Sequence, residues 1–233
     1  MTESARASFF DRCEAFIRKV PGSAENLPRL RHQYQAIISR NRDLFRGARV
    51  LDIMSSYGLW SFAVLDAGAA HVLGLEPSRA AVEATKKVFA EYPIDSSSYQ
   101  FVASEIPAAL RTLEPKTLDI ALCHGFLERA DPRFVFQQIA RLRVKNVILD
   151  TRIARGQGPM ARFSRRPGHA SGGKYQNIVL SPSHELIAFL CDYFQFRWQL
   201  IDWHEMGITD WTGIADYIND HHRTYLLEAS WGS

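Results

Sequence analysis

The sequence is short of cysteine, of net charge and of long apolar runs, and each shortage narrows what the chain can be. Its three cysteines, Cys13, Cys123 and Cys191, are odd in number and widely spaced, so neither a disulfide framework nor a metal site is expected and a reducing cytoplasm is. No stretch approaches 18 consecutive apolar residues, and the opening MTESARASFF has no apolar core behind a basic start, so neither a membrane span nor a secretion signal is expected. The formal charge of +3 over 233 residues is too small a field for a dedicated nucleic-acid binder. What is present in quantity is apolar residue, 46%, enough to fill one core, so a single domain over 1–233 is expected.

The stretch from Arg49 to Ser78 organises the rest. Val50, Leu51 and Ile53 make a short apolar run, Ser55-Ser56-Tyr57-Gly58 supplies a turn, and Trp60, Phe62, Ala63 and Leu65 recur at helical spacing. Gly68 closes that helix, and His71 to Glu76 is a second apolar strand that ends on a carboxylate. Strand, helix and strand in about 30 residues form a right-handed βαβ unit, whose ligand lies across the carboxyl ends of the strands. Glycine is missing from this turn as well. Met54 and Ser56 stand where a dinucleotide fold needs glycines for its pyrophosphate, and only Gly58 remains, which counts against NAD or FAD. S-adenosylmethionine has no phosphate and needs only N–H groups turned toward its carboxylate.

The patterns V-L-D-I-x-x-x-x-G-x-W-S-F and G-A-x-x-V-x-G-x-E resemble motif I and the following acidic strand of class I S-adenosylmethionine-dependent methyltransferases, and the resemblance runs from about Tyr34 to the end of the chain. It departs at MSSYG, where most of that superfamily carries G-x-G-x-G. The resemblance implies a doubly wound, mostly parallel seven-stranded α/β sheet with helices on both faces and a C-terminal antiparallel hairpin. It also implies an S-adenosylmethionine site drawn from Tyr34, Asp52, Met54, Ser55, Gly58, Glu76, Pro77, Glu105, Ile106 and His124, with Glu76 on the ribose and residues near Glu105 at the adenine.

Outside that unit the chain reads as follows. Helices are expected at 4–20 and 28–41, and residues 1–45 are expected to act as a helical lid or to pack on the sheet. Ser78 caps a helix with Ala80, Ala81, Ala84, Val88 and Phe89 as its stripe, and strands are expected at 99–103, 118–123 and 147–149. His124 and Asp150 fall at the carboxyl ends of two of these strands. His124 reads as a general base, a substrate orienter or a packing histidine, and Asp150 as its catalytic neighbour or a strand-end cap. Residues 152–180 lose all periodicity and gather arginine and glycine, which reads as a long substrate-side loop. Within it Arg152, Arg165, Arg166 and Tyr175 are candidate contacts for an anionic substrate, since arginine forks pair with carboxylate and phosphate. Ser181 is expected to cap a helix that begins at Pro182, and 196–203 is expected to pair with 223–228.

The expected activity is methyl transfer to an oxygen or nitrogen of a small, anionic molecule. CHGF stands where amino methylation of nucleobases would place Asn/Asp-Pro-Pro-Tyr/Phe, which argues against that chemistry. A nucleic-acid methyltransferase using the Arg-rich loop, and an inactive binding protein of the same fold, stay open as alternatives. So does a homodimer.

Overall fold

The structure is a computed structural model that describes residues 9–20, 23–165 and 178–232. Val50, Leu51, Asp52 and Ile53 are all buried in β1 (Arg49–Ile53), as a central parallel strand covered on both faces requires. The chain then alternates through α5 (Leu59–Asp66), β2 (His71–Glu76), α6 (Arg79–Phe89), β3 (Tyr99–Ala103), α7 (Ile106–Thr112), β4 (Ile120–His124), α8 (Pro132–Leu142) and β5 (Asn146–Arg152). Before β1 come four short helices: α1 (Phe9–Arg12), α2 (Glu14–Lys19), α3 (Leu27–Gln33) and α4 (Arg42–Phe45). After β5 come β6 (Ala161–Arg165), β7 (Ile178–Pro182), α9 (His184–Tyr193), β8 (Phe196–Leu200), α10 (Ala215–Ile218) and β9 (His222–Ala229).

Seven strands form one sheet in the order β3-β2-β1-β4-β5-β9-β8. β3 to β5 are parallel, and β9 runs antiparallel between β5 and β8, so the expected terminal hairpin is present. The order reverses between β1 and β4, which leaves a crevice beyond their carboxyl ends. One face buries Phe16, Phe62 and Phe89 beneath the N-terminal helices, α5 and α6; the other buries Leu110, Phe136 and Ile187 beneath α7, α8 and α9.

Three expectations need correction. The single helix read over 4–20 is two helices, broken at Cys13 (φ −107°, ψ 31°), whose side chain turns fully into the core; residues 1–8 lie outside the described residues. The loop read over 152–180 carries a two-stranded antiparallel ribbon, β6 with β7, pairing Phe163 with Leu180 and Arg165 with Ile178. The cap of α9 is Ser183, whose Oγ accepts the Leu186 N–H at 3.1 Å, while Ser181 and Pro182 belong to β7. The second predicted helix also changes character: Tyr34–Ser39 is a wider π turn, and Asn41 Nδ2 donates to the Ala36 and Ile37 carbonyls that the widening frees.

Candidate active site

The turn between β1 and α5 takes a course suited to glycine with only one glycine in it. Met54 (φ 63°), Ser56 (φ 50°) and Gly58 (φ 78°) are all left-handed. For L residues that conformation costs roughly 1–2 kcal/mol each, and it persists only where neighbours over-determine it. Here they do. Ser55 N–H donates to Leu75 O (2.9 Å), Gly58 N–H to Ser55 O (2.8 Å) and Ser56 N–H to Glu76 Oε2 (3.0 Å). Glu76 Oε1 accepts the Ser78 N–H at 2.9 Å, so one carboxylate joins the motif turn to the start of α6. Gly58 is required from behind: a Cβ there would lie 2.5 Å from Thr85 Cγ2 and 3.0 Å from Phe89 Cε2.

A cleft of about 630 Å³ opens at this edge. Met54, Ser55, Ser56, His124 and Gly125 line it from the strand ends, Trp60 from the first turn of α5, and Arg29, Leu30 and Gln33 from α3; Glu128, Arg129, Arg152, Asp216 and His222 are among the remaining walls. Beneath it lies a buried charge cluster. Asp150 is fully buried, accepting from Thr224 Oγ1 (2.5 Å) at Oδ1 and from Tyr217 Oη (2.9 Å) and His222 Nε2 (2.9 Å) at Oδ2. His124 Nδ1 is 3.3 Å from the same Oδ2. Arg29 grips Asp216 with both guanidinium nitrogens (2.7 and 3.0 Å) and stacks over Tyr217 at 4.8 Å, while Gln33 Nε2 donates to Tyr217 Oη at 2.8 Å.

The protonation pattern follows from these distances. Burial alone would raise Asp150, but His222 and His124 with the hydrogen bonds from His222 and Thr224 hold it well below the usual carboxylate range. Burial likewise opposes the charge on His222, yet Asp150 and Asp216 outweigh it and hold the imidazole up at about 9. His124 differs. Burial lowers it, and His222 and Arg29 add to the effect against Asp150, so its imidazole is neutral near pH 7. Its Nδ1 is buried 3.3 Å from Asp150 Oδ2 without making a hydrogen bond, and a neutral imidazole carries one nitrogen lone pair able to accept a proton.

The structure sorts the sequence candidates. It brings His124 and Asp150 together as register partners on β4 and β5, and it lines the cleft with Met54, Ser55 and Arg152. Asp150 is a correction: committed to three hydrogen-bond donors and out of solvent, it lies behind His124 and can orient it but cannot exchange protons with an acceptor. Tyr34 is another: its ring stacks on Phe9 (4.4 Å, 7°), and the residues of α3 that line the cleft are Arg29, Leu30 and Gln33. Asp52 also turns away, accepting from Ser61 Oγ at 2.6 Å, and burial raises its carboxyl to about 6. Ile106 belongs to the core, whereas Pro77 and Glu105 are exposed beside the starts of α6 and α7. Arg165 is exposed on β6; Arg166 and Tyr175 lie outside the described residues. The sequence reading missed Arg29, Gln33, Arg129, Asp216, His222 and Thr224. Of these only the His221-His222 pair at the head of a predicted strand carried a signal.

No protein-family model matches the sequence, and no curated protein matches it. Solved structures do match in fold. The chain is similar to a 1,6-didemethyltoxoflavin-N1-methyltransferase of Burkholderia thailandensis, solved with 1,6-didemethyltoxoflavin and S-adenosylhomocysteine, at TM-score 0.61 and 14% identity over 98% of this chain and 93% of that one. It is similar to an S-adenosylmethionine-dependent methyltransferase of Mesorhizobium loti at TM-score 0.59 and 12% identity, over 83% and 97% of the two chains. It is also similar to the [4+2]-cyclase SpnF at TM-score 0.60 and 16% identity, over 85% and 81%. The fold is therefore that of the class I S-adenosylmethionine-dependent methyltransferases.

Proposed function

We propose that this chain binds S-adenosylmethionine across the carboxyl ends of β1 and β2 and transfers its methyl group to an oxygen or nitrogen of a small anionic molecule in the cleft. The observation that carries the reading is the turn at Met54–Gly58, which holds a glycine-like course in two residues that resist it, at the edge of the sheet where this fold binds ligands. The residues present fit the cofactor. The first-turn N–H groups of α5 have no side-chain cap and Trp60 opens onto the cleft, so a carboxylate there meets the positive end of a helix. Each Glu76 oxygen takes one backbone N–H and keeps a lone pair for a ribose hydroxyl. When bound, S-adenosylmethionine supplies an electrophilic methyl group.

The chain's own residues then align and deprotonate. Arg129 and Arg152 hold the acceptor's anion, with Arg165, Arg166 and Tyr175 as proposed contacts from the ribbon and the segment beyond it. His124 accepts the acceptor's proton, and the Asp150 carboxylate 3.3 Å behind it stabilises the imidazolium that results. The test is calorimetry with S-adenosylmethionine and S-adenosylhomocysteine. One-site binding of both at micromolar concentration is expected. Absence of heat with either would overturn the reading and leave a methyltransferase fold used for something else.

A further inference from the structure

A second concavity adjoins the cleft, and its chemistry is different. It measures about 580 Å³ and lies between the ribbon and the body of the domain, with Phe163 and Ile178 on the ribbon facing Leu186 and Leu190 on α9. The ribbon is anchored at its base. Ser183 N–H donates to Met160 O (2.7 Å), Ser183 Oγ accepts the Met160 N–H (3.1 Å) and donates to Gly158 O (2.9 Å), and Ala154 N–H donates to Pro182 O (2.9 Å). Beyond that base its apolar side stands off α9, leaving Phe163 70% and Ile178 41% exposed. A two-stranded ribbon gains little stability alone, and large apolar side chains gathered at an open groove mark a binding surface rather than a core.

What the groove binds follows from what lines it. Glu128 and Arg129 line both this groove and the cleft that holds His124, and Asp131 and Arg133 follow them along the groove's charged side, opposite the apolar residues of the ribbon and α9. Glu128 is engaged by Arg152 at 3.3 Å, whereas Arg129 presents an exposed guanidinium at the junction of the two spaces. An apolar trough that runs up to an arginine and on to an imidazole suits a molecule with a hydrocarbon tail and an anionic or hydroxylated head.

We propose that the groove between the ribbon and α9 is a subsite for the hydrocarbon tail of an amphipathic acceptor, with Arg129 at its head end and the reacting atom carried on into the cleft. Its role as an acceptor subsite rests on the methyl-transfer reading; its capacity to hold a tail does not. A protein segment would need no charge at one end and no continuity with the cleft, so the shared Glu128–Arg129 wall favours a single-chain amphiphile.

The probes are hexanoate, octanoate and decanoate, titrated calorimetrically into the 233-residue chain with and without saturating S-adenosylhomocysteine. Burial of each methylene should tighten binding about fourfold, so decanoate should bind more than tenfold tighter than octanoate. Phe163→Asp with Ile178→Asp, both at exposed positions, should weaken decanoate at least tenfold while leaving the melting temperature and the S-adenosylhomocysteine affinity unchanged. Arg129→Gln should weaken all three acids by a similar factor and keep the length dependence. A flat length series, full-strength decanoate binding in the double variant, or displacement of S-adenosylhomocysteine by decanoate would overturn the proposal. Binding of decanoate by a chain that ignores S-adenosylhomocysteine would support the groove and overturn the methyl-transfer reading, so the two fail separately.

Discussion

Ser56 is an exposed residue held at φ 50° by a hydrogen bond from its own amide to Glu76, with its hydroxyl playing no part in that bond. Replacing it with glycine should keep the bond and remove the left-handed penalty, less the entropy that glycine adds to the unfolded chain. Ser56→Gly is therefore expected to raise unfolding stability by about 0.5–1 kcal/mol in a denaturant titration. A loss would mean that the serine side chain supports the turn in some other way. Met54 is a different case, since its side chain both lines the cleft and packs on the core behind it. The same accounting revises what removal of Glu76 does. Because its carboxylate accepts two backbone N–H groups, Glu76→Ala disturbs the turn itself as well as any ribose contact.

At the scale of elements, β9 deserves the weight that sequence reading gave to β4 and β5. It delivers His222 and Thr224 to Asp150, and the hairpin that begins at β8 therefore completes the floor of the cleft as well as the edge of the sheet. The His222 imidazole, held at about 9 in the fold against an ordinary 6.5, binds its proton more tightly folded than unfolded. Its contribution is thus fully present below pH 6.5 and lost as the pH rises through about 9. Thermal unfolding followed from pH 6 to 10 should show a decline across that window, and His222→Gln, which keeps a donor toward Asp150, should flatten it. An unchanged decline in the variant would assign it to other groups. Why β1 to β5 could be read and this cluster could not has a physical answer. Strands such as Val50–Ile53 carry their own apolar pattern, whereas Asp150 is satisfied by Tyr217, His222 and Thr224, whose pairing depends on how a distant hairpin docks. The ribbon escaped for a similar reason: Phe163 stands alone among arginines, and the short run Ile178-Val179-Leu180 becomes a strand only by pairing with Ala161–Arg165 across the chain.

Across the whole molecule, the cleft is walled from both directions of the chain. α3 brings Arg29 and Gln33 over one side, α10 with the turn before it brings Asp216 and Tyr217 over the other, and the two meet through the Arg29–Asp216 fork and the Gln33–Tyr217 bond. Arg29 and Asp216 are each partly exposed, 22% and 31%, so the pair is worth less than a fully buried one. A double-mutant cycle on Arg29→Ala and Asp216→Ala should give a coupling of about 1–2 kcal/mol in unfolding stability. A coupling near zero would mean that the two walls are held independently. That closure has a consequence in time. Arg29 leaves the ribosome 187 residues ahead of Asp216, which at ordinary rates of synthesis is about 10–40 s. Throughout that interval the guanidinium and the Gln33 amide are without their native partners, and the first half of the sheet can form with its cleft still open. Closure of the cleft is thus acquired late, when the last hairpin arrives, and a nascent chain stalled before residue 216 would carry most of the sheet and the Met54–Gly58 turn with the cleft still open on one side.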